Sequence, residues 1–575
     1  MSDLVAGISK LNPFSKRYTL DDEDKGEAID AGTVAGGGHA SRQSDITKDQ
    51  LRVSRVLKKF LVEEGVLQNA EADADVEQPS TALRELLDKS HINVPPEVID
   101  RSHPLPEYFI SSSHNTYLMA HQLFGESHAQ AYEIALYTGS RCVEIDAWDN
   151  DDNMEEPKVT HGYTLVSNIA FRTVCEKLRD VVDKEATDGR SAAPIMISLE
   201  NHCGAHGQLR LAQIMREVFG ERLLDRGVRE KGQREQEDLG DHVTLAELGN
   251  KIVVIVEYHL PDEVESSDDE TDAEDEHEPG KEERKQYAEK KKATNAGLIV
   301  PELAELGVYA QSVKPVNNSW FEADLDNAPH HQLINVSESG LQSHLPHNSS
   351  KIARHNAHHL MRVYPKGTRI SSNNLRPVPF WGIGAQICAL NWQTFGASSQ
   401  INEALFAGSG GYVLKPAALR AGGDGNLNTG RRRKLRLHVA GATDLHLPQD
   451  RDPDKIKPYL TCTLEHPNDM NNMPPKRKTD TYKQHKLTGF LHKDNSPITD
   501  PFWKEVLEWE YEDNELAFLR LLIKSDDSFA RNPVFCVAAV RLMYVAPGWS
   551  FIRMLDLSGH ETKCTLLVRF EFMNL

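Results

Sequence analysis

From about residue 105 to 260, short apolar runs recur with room for a helix between each and the next. The runs are EYFISSS, SRCVEIDAW, APIMISLEN and NKIVVIVEY, and helix-like segments fall near 127–137, 168–186 and 207–219. Such runs read as buried strands, and their alternation with helices is the rhythm of βα units on a parallel sheet. The rhythm stops after residue 260 and resumes with LGVYAQSV, LMRVYPKG and AQICALNWQ. A weaker run, KVTHGYT, brings the count to about eight, the number that closes a (β/α)8 TIM-type barrel. The expectation is one α/β barrel in two halves, 101–260 and 298–421.

The interruption has its own physics. Residues 262 to 283, DEVESSDDETDAEDEHEPGKEE, hold 13 acids and one Lys, a net charge of −12 out of −22 for the chain. A block so charged buries too little apolar surface to order itself, so 261–297 is expected to be a disordered linker. Residues 1–45 are polar and Gly-rich and read the same way. Residues 46–100 read as a small helical region, with Leu51, Val56, Leu57, Phe60 and Leu61 at helical spacing and Thr47 or Asp45 as caps. After RRRKLRLHVAGATDL the texture changes. The runs KLRLHVAGA, PYLTCTLE, FWKEVLEWEY, AFLRLLIKS, FCVAAVRL and TLLVRFEFMNL alternate with Pro-, Asp- and Asn-rich turns, the pattern of an all-β sandwich over 431–575.

Several function classes are disfavoured. No apolar run approaches the ~18 residues of a membrane span, and the start lacks a signal-peptide core and the Met-Gly of myristoylation. Seven scattered Cys without a CxxC pair suggest a reducing, cytoplasmic setting. The acidic bias argues against nucleic acid as a partner.

Catalytic groups in such a barrel sit at the C-terminal ends of its strands. There lie His114 and Asn115, Glu144 and Asp146, His161, Glu200, and later Arg362 and Tyr364. Glu144 and Asp146 alternate with Ile145 and so share one side of their strand. Three carboxylates and an amide, all oxygen donors, suit Ca²⁺ or Mg²⁺ rather than zinc. Two His beside such a cation suit proton transfer or stabilisation of a phosphoryl transition state.

EYFISSSHNTYL, SRCVEIDAWD, THGYTL and ISLENHC resemble the X region of eukaryotic phosphoinositide-specific phospholipase C. RHNAHHLMRVYPKGTRISSNN, WGIGAQICALNWQT and GGYVLKPAALR resemble its Y region. The resemblance implies an X–linker–Y barrel followed by a C2 domain, a cytoplasmic enzyme recruited peripherally to membranes, and phosphoinositide lipids as substrate. It implies Ca²⁺ on Asn115, Glu144, Asp146 and Glu200, with Glu144 also the general base for the inositol 2-hydroxyl. By the same resemblance His161 protonates the leaving glycerol oxygen, and His114 stabilises the pentacoordinate phosphorane. Arg362 meets the inositol 4-phosphate, and Tyr364 packs on the ring.

The chain departs from that pattern at the recognition charges. Relatives carry a KILLKGK-like strand whose last two Lys clamp the 4- and 5-phosphates; here KIVVIVE puts Ile255 and Glu257 there. Asn335 replaces a Ser on the 4-phosphate, and Lys314 is a possible replacement charge. A carboxylate ~4 Å from a phosphate is repelled by about 4 kcal/mol per unit charge at an effective dielectric of 20. The expectation is a preference for phosphatidylinositol or a monophosphate over the bisphosphate. In the sandwich, Asp450, Asp452, Asp454, Asp500, Asp526 and Asp527 are possible calcium ligands, but Lys457 and Ser525 stand where ligands are usual. Packing on the barrel is the alternative role.

No EF-hand loop and no SH2, SH3 or pleckstrin-homology pattern is visible. The acidic linker reads as a solvated spacer or as an autoinhibitory cover, RRRK as a lipid contact or a solvated link, and His355, His358 and His359 as a surface helix. The other function classes are a catalytically weak lipid-binding scaffold on this fold and a Mg²⁺-dependent enzyme on a soluble phosphate ester.

Overall fold

The computed structural model describes residues 46–72, 80–118, 127–160, 168–188, 193–229, 242–258, 299–314, 318–322, 331–366, 374–447, 452–484, 496–526 and 534–575. Eight parallel strands form its centre: β1 (Tyr108–His114), β2 (Cys142–Trp148), β3 (Ile195–His202), β4 (Ile252–Glu257), β5 (Gln311–Val313), β6 (Gln332–Ser337), β7 (Leu360–Tyr364) and β8 (Ile387–Asn391). They pair in chain order. β1 closes the ring by pairing with β8 from Ile110↔Ile387 to His114↔Asn391 and with β2 at Ser112↔Cys142. The expected TIM-type barrel is therefore present. The segment 261–297 and residues 1–45 lie outside the described residues.

One strand differs from expectation. KVTHGYT is not the eighth barrel strand: Lys158–Val159 forms a short antiparallel extension on β2, and 161–167 lie outside the described residues. The eighth strand is β6, HQLINVS. Gln332, Asn335 and Ser337 break its apolar run, so its sequence lacks the continuous apolar signal of a buried strand. The barrel still accepts it, because Leu333 packs in the interior and Ile334 packs under the outer helices.

Side-chain alternation then builds two layers. Val143, Ile145, Ala147, Ile195, Ile197 and Val254 face outward under helices α3 (Phe171–Thr187) and α4 (Ala205–Phe219). Tyr108, Ile110, Cys142, Met196, Val253, Ile255, Leu333, Leu360 and Ile387 belong to a second apolar cluster that fills the barrel's lower interior. Each buried Leu, Ile or Val contributes ~1.5–3 kcal/mol, so this floor leaves the polar residues of the upper layer at the mouth.

The second sheet is antiparallel: β9 (Arg432–Thr443), β10 (Pro458–Glu465), β11 (Lys476–Lys478), β12 (Phe502–Glu512), β13 (Phe518–Ser525), β14 (Val534–Arg541), β15 (Trp549–Leu555) and β16 (Glu561–Asn574). The order is β11-β10-β13-β14-β15-β16-β9-β12. β14 and β15 meet only at Val537↔Leu555, where the sheet folds into a sandwich around Leu437, Trp509, Leu521 and Leu566. The sandwich packs on the barrel helix Ala397–Phe406, where Arg520 Nε donates to Gln400 Oε1 at 2.7 Å and Trp381 lies 5.9 Å from Phe518.

The N-terminal region docks on the sandwich. Thr47 caps only a 3-10 turn; the helix α1 (Arg55–Glu63) begins after Ser54, so Leu51 precedes it rather than lying on it. Val53, Leu57, Phe60 and Leu61, with Leu83 and Leu86 of α2 (Thr81–Asp88), bury against Trp549, Phe551 and Leu567. Arg52 locks the junction: it donates to both Asp500 oxygens at 2.8 Å and to Asp444 Oδ1. Asp500 is therefore an ion-pair partner and not a loop ligand. Asp452 is exposed beside Lys455, Asp526 is exposed, Asp450 and Asp527 lie outside the described residues, and so does the side chain of Asp454. RRRK is a paired ladder, with Arg432 on Glu510, Arg433 on Asp513 and Lys434 on Glu508. The His355 helix is not a surface one on that side: His355 is buried against Trp320, while His358 is exposed.

Candidate active site

β1 ends in SSSHNTY, and the turn that follows organises the mouth. Asn115 has φ 46°, a left-handed conformation that Asn tolerates. The turn aims its backbone N–H at Glu144 Oε2, 2.7 Å away. Thr116 Oγ1 accepts from the Glu144 N–H at 3.0 Å. Tyr117, fully buried, sets its hydroxyl 2.7 Å from Asp146 Oδ2 and 3.1 Å from Asn115 Oδ1. One turn thus touches two carboxylates of the neighbouring strand.

β2 and β3 pair with Asp146 opposite Glu200. Carboxylate and imidazole atoms of Asp146, Glu200 and His202 come within 4.8 Å of one another. The ring of His202 stacks on Trp148 at 4.2 Å. Glu144 stands beside this triad, with Oε1 2.8 Å from Arg362 Nη2. Arg362 is wholly buried; its Nη1 donates to Asn335 Oδ1 at 3.2 Å and lies 3.8 Å from Glu200.

One buried cation faces three carboxyls, and they respond differently. Burial alone would raise Glu144, but Arg362 and then His114 outweigh it and bring its carboxyl down to about 2. Burial and then the Glu144 charge push Asp146 well above the usual carboxylate range. Burial, Glu144 and Asp146 do the same to Glu200, whose side chain keeps 35% of its exposure, so water tempers the rise. Asp146 Oδ1 is buried with no hydrogen-bond partner. An excess of clustered carboxyl oxygens, one of them orphaned, fits a hard divalent cation. The imidazole of His202 is the one donor out of character for such an ion.

The expected site residues fall as follows. His114 Nδ1 sits 2.7 Å from Asn391 Oδ1, a contact that makes Nδ1 the protonated nitrogen; burial lowers its pKa and Glu144 restores it only in part. Asn115, Glu144, Asp146 and Glu200 converge. Arg362 is turned to Glu144 and Asn335 beneath the mouth, so its guanidinium is not presented to solvent. Tyr364 is half-buried, its ring 5.9 Å from that guanidinium. Lys314 follows β5 and is exposed. Ile255 is 3% exposed in the interior floor. Glu257 ends β4 opposite Ser312, and its charge is felt at Asp146. His161 lies outside the described residues. Tyr117, Asn391 and His202 are not among the residues expected from the sequence; for His202 the alternation with Glu200 on β3 was the available signal.

Comparison with known proteins agrees with the fold. Residues 101–258 match the family described as Phosphatidylinositol-specific phospholipase C, X domain, and residues 303–418 match its Y domain. The chain is 31% identical over 497 residues to 1-phosphatidylinositol 4,5-bisphosphate phosphodiesterase delta-1 of Rattus norvegicus, covering 83% of this chain and 61% of that one. It is 28% identical over 516 residues to 1-phosphatidylinositol 4,5-bisphosphate phosphodiesterase of Dictyostelium discoideum, covering 82% and 60%. It thus spans about three fifths of the length of these relatives. The fold is similar to that of the crystal structure of L. pealei PLC21, with a TM-score of 0.68 at 23% identity over 96% of this chain and 65% of that one. Among the described residues no helix is long and apolar enough to cross a membrane. With X and Y matches on the two halves of one barrel, the chain belongs to the eukaryotic phosphoinositide-specific phospholipase C family.

Proposed function

We propose that the chain is a calcium-dependent phosphoinositide phospholipase C that works at a membrane surface. It cleaves the glycerol–phosphate bond of phosphatidylinositol lipids to diacylglycerol and inositol phosphate. The observation that carries this reading is the convergence of Glu144, Asp146 and Glu200, with an orphaned buried oxygen, at the mouth of an X/Y barrel. Asn115, Glu144, Asp146 and Glu200 would hold the ion. When bound, Ca²⁺ supplies positive charge that acidifies a nearby hydroxyl and offsets phosphodiester charge.

The chain's own groups do the rest. The inositol 2-hydroxyl attacks phosphorus, and its proton goes to Glu144, the one carboxylate of the three held ionised. Glu144 is a weak base while Arg362 holds it. The negative charge of the substrate's phosphodiester, once bound at the mouth, raises the basicity of Glu144. The same phosphate charge favours the imidazolium of His114, which stabilises the negative charge on the phosphorane. The bond from phosphorus to the glycerol oxygen breaks, and that oxygen takes a proton, the role the resemblance gives His161. Water then opens the cyclic phosphate.

Lipid preference follows from Ile255 and Glu257. An apolar side chain in the barrel floor offers no charge to a ring phosphate, and Glu257 repels one. Phosphatidylinositol or its monophosphate is therefore the preferred substrate over the bisphosphate. Turnover of the three labelled lipids in mixed micelles, with and without EGTA, tests both parts. The enzyme reading requires EGTA-sensitive product and on the order of 10²-fold loss in His114→Ala and His161→Ala. Faster bisphosphate turnover by the wild type would refute the preference while leaving the activity standing. Glu257→Lys is expected to shift the ratio toward the bisphosphate.

A further inference from the structure

His202 is a nitrogen donor in a mouth otherwise made of oxygens. β2 and β3 run in register with Asp146 opposite Glu200 and Trp148 opposite His202. Glu200 and His202 are two residues apart on β3 and share one side of it. The outcome is a set of three donors, one oxygen from each carboxylate and one imidazole nitrogen, all within 4.8 Å of one another. Donors held tetrahedrally ~2.0–2.1 Å from a metal stand ~3.4 Å apart, so small side-chain rotations close this set on an ion. Glu144, held 2.8 Å from Arg362 Nη2, stands outside it.

Each donor is prepared for a metal. Tyr117 occupies Asp146 Oδ2 at 2.7 Å, and among the described residues the buried Oδ1 has no hydrogen-bond partner. Trp148 stacks on the His202 ring at 4.2 Å and 19°, which restrains the imidazole and lowers the entropy lost on ligation. The Glu200 side chain keeps 35% of its exposure, so an ion has a way in and water can fill a fourth position. Two carboxylates, one imidazole and an open position are the donors of an exchangeable zinc site, whereas calcium takes oxygen alone. Imidazole also favours zinc over the hard cations.

We propose that Asp146, Glu200 and His202 form a binding site for Zn²⁺, and that zinc held there excludes calcium from the mouth. Asp146 and Glu200 belong to both sets, so the two ions compete for them. Zinc draws on His202, which the calcium set does not use, and leaves Glu144 on Arg362. It is therefore an inhibitor of the site and not a substitute for calcium. The exclusion rests on the calcium reading above; the zinc site itself does not.

Co²⁺ is the probe, because it reports its own coordination in visible absorption. The untagged full chain, stripped with a chelator, is titrated with Co²⁺. One ion per chain is expected, with the intense bands of a four-coordinate site, quenched tryptophan emission, and reversal of both on adding Zn²⁺. His202→Gln should weaken Co²⁺ about 100-fold, at the upper end of what even a supporting residue costs, and far more than it weakens Ca²⁺. Far-UV circular dichroism checks folding. If that variant misfolds, the wild type decides alone: Ca²⁺ must remove the cobalt bands. Absence of the bands, bands that persist in His202→Gln, equal losses of Co²⁺ and Ca²⁺ in that variant, or both ions bound together would each overturn the proposal. Cobalt binding without EGTA-sensitive hydrolysis would leave the zinc site standing and sink the enzyme reading; hydrolysis without cobalt binding would do the reverse.

Discussion

Arg362 and Arg52 are both clamped by carboxylates, and the difference between them separates a site from a joint. Arg52 spans two Asp on the sandwich, is 33% exposed, and saturates them with four short contacts. Arg362 has no exposure and faces Glu144 directly, with Glu200 and Asp146 crowded behind. At the joint the hydrogen bonds are complete. At the mouth they are not, and an oxygen of Asp146 is left over. A cluster built for stability alone has no use for that surplus of negative charge, whereas a cation site requires it.

The largest test of this contrast removes the arginines. Arg362→Ala leaves Glu144 buried and unpaired and should cost ~3–5 kcal/mol in urea unfolding. Arg52→Ala exposes a joint already partly wet and should cost only ~1–2 kcal/mol. Equal losses would erase the distinction. Next comes the sign of the acids. Glu200→Gln should stabilise the cation-free protein by raising Tm, abolish the rise in Tm on adding calcium, and lower turnover on the order of 10²-fold. Asp444→Asn at the joint should lower Tm whether or not calcium is present.

The pH dependence sharpens the same point. Asp146 and Glu200 have folded pKa values raised above 3.8 and 4.5, so their stabilising protonated forms are lost as pH rises through and above that range. Glu144 works the other way: its contribution is complete above about 4.5 and is lost as pH falls toward about 2. Of the three, only the first pair changes above about pH 4.5. The calcium-induced rise in Tm should therefore be larger at pH 7 than at pH 5, read by calorimetry. The smallest effect is expected at Tyr117→Phe, which removes the hydroxyl that orients Asp146 and Asn115. About ten-fold weaker lanthanide binding, read by terbium emission through Trp148, should accompany a near-native fold.

The sequence showed these regions unequally. Glu144 and Asp146 were legible because alternation on one strand fixes a shared side whatever the tertiary context. β6 was not, because Asn335, which meets Arg362 at the mouth, and Ser337, which caps the next helix, spoil the apolar signal that would reveal a strand. Arg362 was legible as a mouth residue but not as the counter-ion of Glu144, since strand register across the barrel decides that. Asp500 looked like a loop ligand because acid content cannot show that Arg52, 448 residues away, already holds it.

The docking of α1 on the sandwich also has a consequence in time. Trp549 Nε1 donates to Glu64 across 485 residues of chain. At roughly 5–20 residues per second, a ribosome takes about 25–100 s to make that span. For that interval the apolar face of Val53, Leu57, Phe60 and Leu61 has been synthesised and its partner surface has not. The earliest α-helix among the described residues is thus among the last to be buried, and the emerging polypeptide carries an uncovered greasy stripe through nearly all of its own synthesis.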